Sequence, residues 1–418
     1  MIQCPISAPL WKARYSVLTI LTLCSLFNLM DRMILNVSLP LIGREFNINE
    51  AAQGFLISFS FLGVTLFQIP GGLITDKIGP RKVMTLSAAW AALFIPLTGM
   101  AYTYPMLVIS RFLLGAGGSI SSGSQMKVMA TYFPRSKYAT ANAICGSVNS
   151  LAPALSTLLA AAIIGIHGWR ITFIVLGIPM FLVASYLWFR FKDDPQDNPR
   201  ITRAELMELD EDLPKCSRAK SSQISYKEFL TKPILWQLAL IWFFFDFTYW
   251  GYTTWIPSYL MKERGFSLIK TSILGSLPYL LGTVSMIFGG YLSDHFTGRR
   301  KWVFIPTAIL AAASMYLMFS AKTNVLTIIY QCMAAIFMFI AFGSYGGMQF
   351  DGLPRHIIAS TSGLVNTAGQ LAGLFSPFLL GYLIQVNKGY YSATFFAIII
   401  SLVLAAFVAV FVKKTSLN

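Results

Sequence analysis

Apolar stretches of about twenty residues follow one another along almost the whole chain, each long enough to carry a helix across bilayer hydrocarbon. Windows of that length mark twelve spans, at 16–40, 52–74, 83–102, 106–130, 139–165, 170–190, 234–260, 269–293, 302–320, 325–348, 361–385 and 391–412. Of 418 residues, 56% are hydrophobic and only 12% charged; a soluble domain usually carries roughly 25% charged residues. In hydrocarbon every backbone amide must find a partner inside the protein, and consecutive long apolar runs satisfy that as helices. The sequence therefore predicts an all-α membrane protein with twelve transmembrane helices.

Between the sixth and seventh runs lies the one long polar stretch, 191–232, with a short surface helix expected at 202–212. It divides the chain into an expected six-helix bundle over 1–190, a cytoplasmic linker over 191–232 and a second bundle over 233–418. The halves echo each other. Gly72-Leu73-Ile74-Thr75-Asp76 leads to Gly79, Arg81 and Lys82 after the second span; Gly290-Tyr291-Leu292-Ser293-Asp294 leads to Gly298, Arg299 and Arg300 after the eighth. Pseudo-symmetric halves joined by such loops are a common plan of secondary transporters. Asp76, Arg81, Lys82, Asp294, Arg299 and Arg300 then read as a conformational latch at the inner ends of these spans, holding an outward-open state until the halves rock.

Formal net charge is +15, and its distribution explains it better than a nucleic-acid partner does. With the amino terminus inside, Lys12, Arg14, Lys77, Arg81, Lys82, Lys127, Arg135, Lys137, the linker's basic residues, Arg299, Arg300, Lys301, Arg355, Lys413 and Lys414 fall on one side. The other side keeps Arg44, Arg170, Lys262, Arg264, Lys270, Lys322 and Lys388. By the positive-inside rule both termini are expected in the cytoplasm. The first apolar run lacks a small-residue cleavage site and is expected to remain as a span.

That sorting leaves two cations in the hydrocarbon, Arg32 and Arg111, and an intramembrane ionisable group is a functional candidate by default. Arg32 and Asp31 sit roughly 12–14 Å, and Arg111 about 9 Å, below the outer ends of the first and fourth spans at 1.5 Å per residue. An arginine fork holds a carboxylate through two parallel hydrogen bonds, so Arg32 reads as the anchor of a substrate anion. Asp31 and Arg111 read either as a pair released by protonation or substrate, or as a permanent tie between two helices. Asp246, deep in the seventh span, is a second proton-carrying candidate or a hydrogen-bonded structural acid. Tyr249, Tyr252, Tyr345, Gln349, Asn366, Gln370 and Asn149 (with Asn142 on the same face) complete the candidate binding set. Buried amides must be turned toward water or another helix.

Arg111-x-x-x-Gly115-x-Gly117 in the fourth span, together with the two Gly-x-x-x-Asp loops, resembles the major facilitator superfamily over nearly the whole chain. Within it, Asn28-Leu29-Met30-Asp31-Arg32 is similar to the Asn-Tyr-x-Asp-Arg signature of the anion:cation symporter family. Trp255-Ile256-Pro257-Ser258-Tyr259-Leu260 and Asn366-Thr367-Ala368-Gly369-Gln370 resemble that family's seventh and eleventh spans. The resemblance implies uptake of organic anions such as sugar acids, often with protons. One position departs. Proton-coupled members usually carry a Glu seven residues after the fourth-span Arg, and here that position is Gly118.

The combined reading is a secondary active transporter of a small organic anion, working by alternating access with protons as coupling ion. It is expected in a bacterial inner membrane or plasma membrane, and as a monomer. An exporter or exchanger of a metabolite, siderophore or drug stays open, as does an importer of an amino acid or nucleoside. Without a Gly-x-x-x-x-Gly-Lys-Ser/Thr loop no ATP is expected, nor any other cofactor. The five scattered cysteines offer no metal spacing, and no nucleophile–base pair points to an enzyme.

Overall fold

A computed structural model describes residues 13–133, 141, 144–211, 232–296, 299–352 and 358–412. The described residues are almost wholly helical, with no strand among them. The first three spans are Ala13–Glu45, Glu50–Ile78 and Pro80–Gly99; the fourth is Tyr104–Ser119 continued by Ser121–Tyr132. The fifth and sixth run together as Val148–Phe189, parted at Gly168, whose φ of 79° only glycine adopts readily. The remaining six are Pro233–Lys262, Leu268–His295, Lys301–Ser320, Asn324–Gly352, Ile358–Val386 and Ser392–Val410. Ten of these helical stretches are long and apolar enough to cross a membrane by length and composition. The fifth, a shorter apolar helix, and the seventh, whose tryptophans and tyrosines lower its mean hydropathy, complete the twelve.

The first helix runs five residues past the expected end at residue 40. There Glu45 accepts hydrogen bonds from Trp169 Nε1 at 2.6 Å and from Arg170 Nη2 at 2.6 Å, and Arg170 Nη1 reaches the carbonyls of Gly99 and Ala101. The second half repeats the device. Arg264 donates to the carbonyls of Met318, Phe319 and Ala321, which end the ninth span. Exposed carbonyls at a helix C-terminus favour a cation, so both arginines close a helix end while joining neighbouring spans.

One buried apolar cluster comes from the first six spans, including Leu21, Phe61, Phe173 and Leu187. Another comes from the last six, including Phe245, Phe304, Tyr345 and Phe395, joined by Ala154 of the fifth span. Trp250 packs against both. The halves meet where the second span runs along the eleventh and the fifth along the eighth. Gly54 lies so close to the backbone of Pro377 that a Cβ there would collide with its carbonyl. Nearby, Phe378 N–H donates to Ser58 Oγ at 3.2 Å, and Lys262 pairs with Glu50 at 2.8 Å.

At the end of the molecule bearing the linker, Arg203–Glu211 forms the expected short helix. The hydroxyl of Thr202 accepts the N–H of Glu205 while the Glu205 carboxylate accepts the N–H of Thr202, a reciprocal cap. Glu205 and Glu208 also hold Arg14 of the first span at 3.3 and 2.5 Å, with Arg14 only 1% exposed. Burial works against the Glu205 charge, but the Thr202 amide and Arg14 outweigh it and hold its carboxyl below the usual range. The rest of the predicted linker, 212–231, lies outside the described residues.

Candidate substrate-binding cavity

A cavity of about 490 Å³ opens between the halves at mid-depth. It runs from Ser60, Gly115 and Trp250 along the fourth span to Gln125 and Met129 and along the fifth to Cys145, and so approaches the linker end. From the first span it receives Ser25, Asn28, Asp31 and Arg32; from the eleventh, Asn366 and Gln370. The four-residue spacing of Asn28 and Arg32, and of Asn366 and Gln370, puts each pair on one helix face.

Among the described residues, two charged ones line this cavity, and their situations differ. Asp31 is paired with Arg111 at 2.6 Å, with side chains 3% and 1% exposed, and the Arg111 guanidinium lies 4.6 Å over the ring of Phe173. Arg32 is half-buried, makes no hydrogen bond or ion pair with any described residue, and stacks 5.1 Å over Phe61. Phe61 in turn meets Trp250 of the other half edge-on, with centroids 4.8 Å apart. With the Asp31 charge taken up by Arg111, the described part of the wall carries one uncompensated positive charge among neutral amides and hydroxyls. A concave site of that kind favours an anion with hydrogen-bonding groups.

The other candidates fall in two groups. Asn149, Asn366 and Gln370 line the cavity, the first two exposed to it and the Gln370 Oε1 without a described partner. Tyr249, Tyr252, Tyr345 and Gln349 do not line it in this conformation. Tyr249 donates to the Asn149 carbonyl across the halves at 3.1 Å, Tyr345 to the Leu238 carbonyl at 2.7 Å, and Tyr252 faces Met318 Sδ. Gln349 lies against Tyr345. Asp246, 7% exposed, packs against Gly369 and the Trp242 indole behind the cavity wall. Asn142 lies outside the described residues.

Of the expected latch residues, Arg81 and Arg300 have described contacts. Arg81 donates to the Trp188 carbonyl, and its backbone N–H to Asp193 at 2.6 Å. Arg300 covers Gly347 of the tenth span, while Lys82 and Arg299 are exposed. Asp76 and Asp294 occupy the ends of the second and eighth helices; their side chains lie outside the described residues.

The sequence reading did not count Ser25, Ser60, Phe61, Gln125 or Trp250 as site residues. Gln125 was legible in principle, as an amide eleven residues into a run of small residues after Leu114 that must find a partner; it accepts Ser25 Oγ at 3.0 Å. Phe61 and Trp250 carried no signal beyond that of ordinary core aromatics.

Residues 21–377 match the Major Facilitator Superfamily. The chain is 27% identical over 407 residues to the probable galactarate/D-glucarate transporter GarP of Escherichia coli, covering 92% of this chain and 91% of that one. It is 28% identical over 388 residues to the probable sulfoacetate transporter SauU of Cupriavidus necator, covering 91% and 89%. Among solved structures, an inward-facing bacterial homologue of the human lysosomal transporter Spinster superposes with a TM-score of 0.78 at 20% identity, over 95% of both chains. A D-xylose–proton symporter does so with 0.78 at 16% identity, over 96% and 98%. This chain belongs to the Major Facilitator Superfamily and is a transporter.

Proposed function

We propose that this protein moves a small hydroxylated organic anion, such as a sugar acid, with Arg32 as the anchor for its carboxylate. One observation carries this reading: Arg32 faces the central cavity without a carboxylate partner among the described residues, while the neighbouring acid is neutralised by Arg111. The names of the relatives, which concern galactarate, D-glucarate and sulfoacetate, support an anionic solute. Asn149, Asn366 and Gln370 would hold its hydroxyl groups from both halves.

The surplus of Lys and Arg at the linker end supports a cytoplasmic linker and termini, which makes this conformation inward-open. Alternating access then follows if the six-helix halves, 1–190 and 233–418, rock about the cavity. In the outward-open state the Asp76 and Asp294 loops, with Arg81, Lys82, Arg299 and Arg300, would close the inner side. Protons are the proposed coupling ion, carried by Asp31 or Asp246, and each chain holds a complete cavity and acts as a monomer.

Ligand binding raises the melting temperature of the folded state with concentration. Purified protein warmed with D-glucarate, galactarate, sulfoacetate, mannitol or an amino acid should be stabilised by anions and not by mannitol. Stabilisation by the neutral polyol or amino acid alone would contradict an anionic solute.

A further inference from the structure

Beyond Arg32, the chemistry of the central cavity depends on which hydrogen-bonding groups of its wall already have partners. Asn28 lies one helical turn, about 6 Å, from Arg32 on the same face of the first span, and donates its amide N–H to the Cys24 carbonyl at 2.8 Å. Its Oδ1 is left toward the cavity, where a Cβ on Gly118 would meet it at 3.7 Å and nothing nearer. Asn149, exposed on the fifth span, donates to the Gly146 carbonyl at 3.1 Å and keeps its own Oδ1 free for a solute. The hydroxyls of Ser25 and Ser121 donate to Gln125 Oε1 at 3.0 Å and to the Gly118 carbonyl at 2.9 Å, so each offers an acceptor oxygen.

Donors are fewer on this side. Gln125 has its Oε1 taken by Ser25 and lies against the Cys24 thiol, so its amide N–H is a neutral donor already partly engaged. Among the described residues Arg32 is the one cation on the wall, and the Asp31 carboxylate beside it is held by Arg111. An anionic group placed away from Arg32 would therefore leave water for amide and hydroxyl oxygens, with no cation to offset the loss. A hydroxyl meets the opposite situation, because its proton suits those same oxygens.

We propose that the cavity selects an acid with one charged end, a polyhydroxy monocarboxylate of the aldonate or uronate class, over a dicarboxylate with the same carbon chain. The carboxylate takes Arg32, and the hydroxylated chain runs toward the linker end, donating to Asn28 Oδ1 and Asn149 Oδ1. A second carboxylate at the far end of such a chain meets acceptor oxygens of like partial charge. Repulsion of that kind is how a site turns away a close analogue of its own solute. The selectivity rests on the anchoring of an anion at Arg32 proposed above, and adds to it a rule for the other end of the molecule.

Equilibrium binding of D-gluconate, D-glucuronate and D-glucarate to the purified full chain, at neutral pH and one ionic strength, tests this. The three share one hydroxylated carbon chain and differ in which ends are carboxylate. At least one of the two monoanions should bind about tenfold or more tightly than D-glucarate. Asn149→Lys, which puts a cation on an exposed position of the wall, should raise D-glucarate affinity relative to D-gluconate by about tenfold. D-Glucarate bound as tightly as the better monoanion, or a ratio unmoved in a folded Asn149→Lys, would overturn the proposal; the native ratio decides alone if that variant does not fold. Equal affinities in the native chain, all lost in Arg32→Ala, would remove this selectivity and leave the anchor standing. Binding of none of the three would remove both.

Discussion

The carboxylate of Asp31 lies 2.6 Å from the guanidinium of Arg111, joining the first and fourth spans through two side chains almost wholly removed from solvent. The adjacent Arg32 is thereby left to the cavity, which is why it is the proposed anchor of the solute. Sequence neighbours on a helix point about 100° apart, so one can face a partner helix and the other the cavity.

Breaking that pair should be a stability defect before it is a transport defect. Asp31→Asn strands the Arg111 cation in the bundle, and removing one member of a buried pair typically costs about 3–5 kcal/mol. Asp31→Asn/Arg111→Gln should recover most of the loss. Unfolding of both variants in detergent measures it, and equal stabilities for the single and double variants would rule the pair out as a structural tie.

Gly118 stands where the resemblance drawn from the sequence would lead one to expect Glu. A Cβ there meets nothing nearer than Asn28 Oδ1 at 3.7 Å, so Gly118→Glu should fold. Its carboxylate would offset the Arg32 charge and weaken anion binding near neutral pH by roughly tenfold, or about 1.4 kcal/mol. Affinity should return as the pH falls and the new carboxyl is protonated. A titration of anion binding against pH decides whether cavity charge controls affinity.

The gate away from the linker should respond to its ion pair only weakly and to its glycine strongly. Glu50 and Lys262 are partly exposed at 20% and 31%, and such pairs contribute about 0.2–1 kcal/mol. Lys262→Met should enlarge the population open at this end by no more than about fivefold, and high salt should do the same to the native protein. Gly54→Val, pushing on the Pro377 backbone, should open it further. Distances between spin labels at Arg44→Cys and Lys388→Cys report both.

The linker helix should undock in acid. The Glu205 carboxyl is held below its ordinary value by the Thr202 amide and Arg14 despite opposing burial. A depressed carboxyl adds stability that is complete above the unfolded value, about 4.3, and is lost as the pH falls through the lower folded value. A fluorophore at Met207→Cys, a position 63% exposed, should report release in that window. Glu205→Gln should loosen the helix at neutral pH and remove the acid transition.

Length and hydropathy make spans legible because a bilayer demands about twenty apolar residues whatever the fold. That is why the ends of the second, ninth and eleventh helices lie within a few residues of their expected positions. The first helix escaped that rule, since Glu45 is kept helical by Trp169 and Arg170 from far along the chain. The proximity of Asp31 and Arg111 was legible because two opposite charges stranded in hydrocarbon at similar depth need each other. The burial of Tyr345 was not, because a tyrosine at helical spacing looks the same whether its hydroxyl meets a cavity or, as here, the Leu238 carbonyl. Phe61 beneath Arg32 was invisible for the same reason.

The most direct test of the account is equilibrium binding of D-glucarate, galactarate and sulfoacetate to the purified native chain and to Arg32→Ala, run beside an unfolding curve for each. At least one anion should bind the native protein and lose that binding in Arg32→Ala, while the unfolding curves coincide. An anion that binds both proteins equally would show that its charge is held elsewhere and would contradict the role given to Arg32.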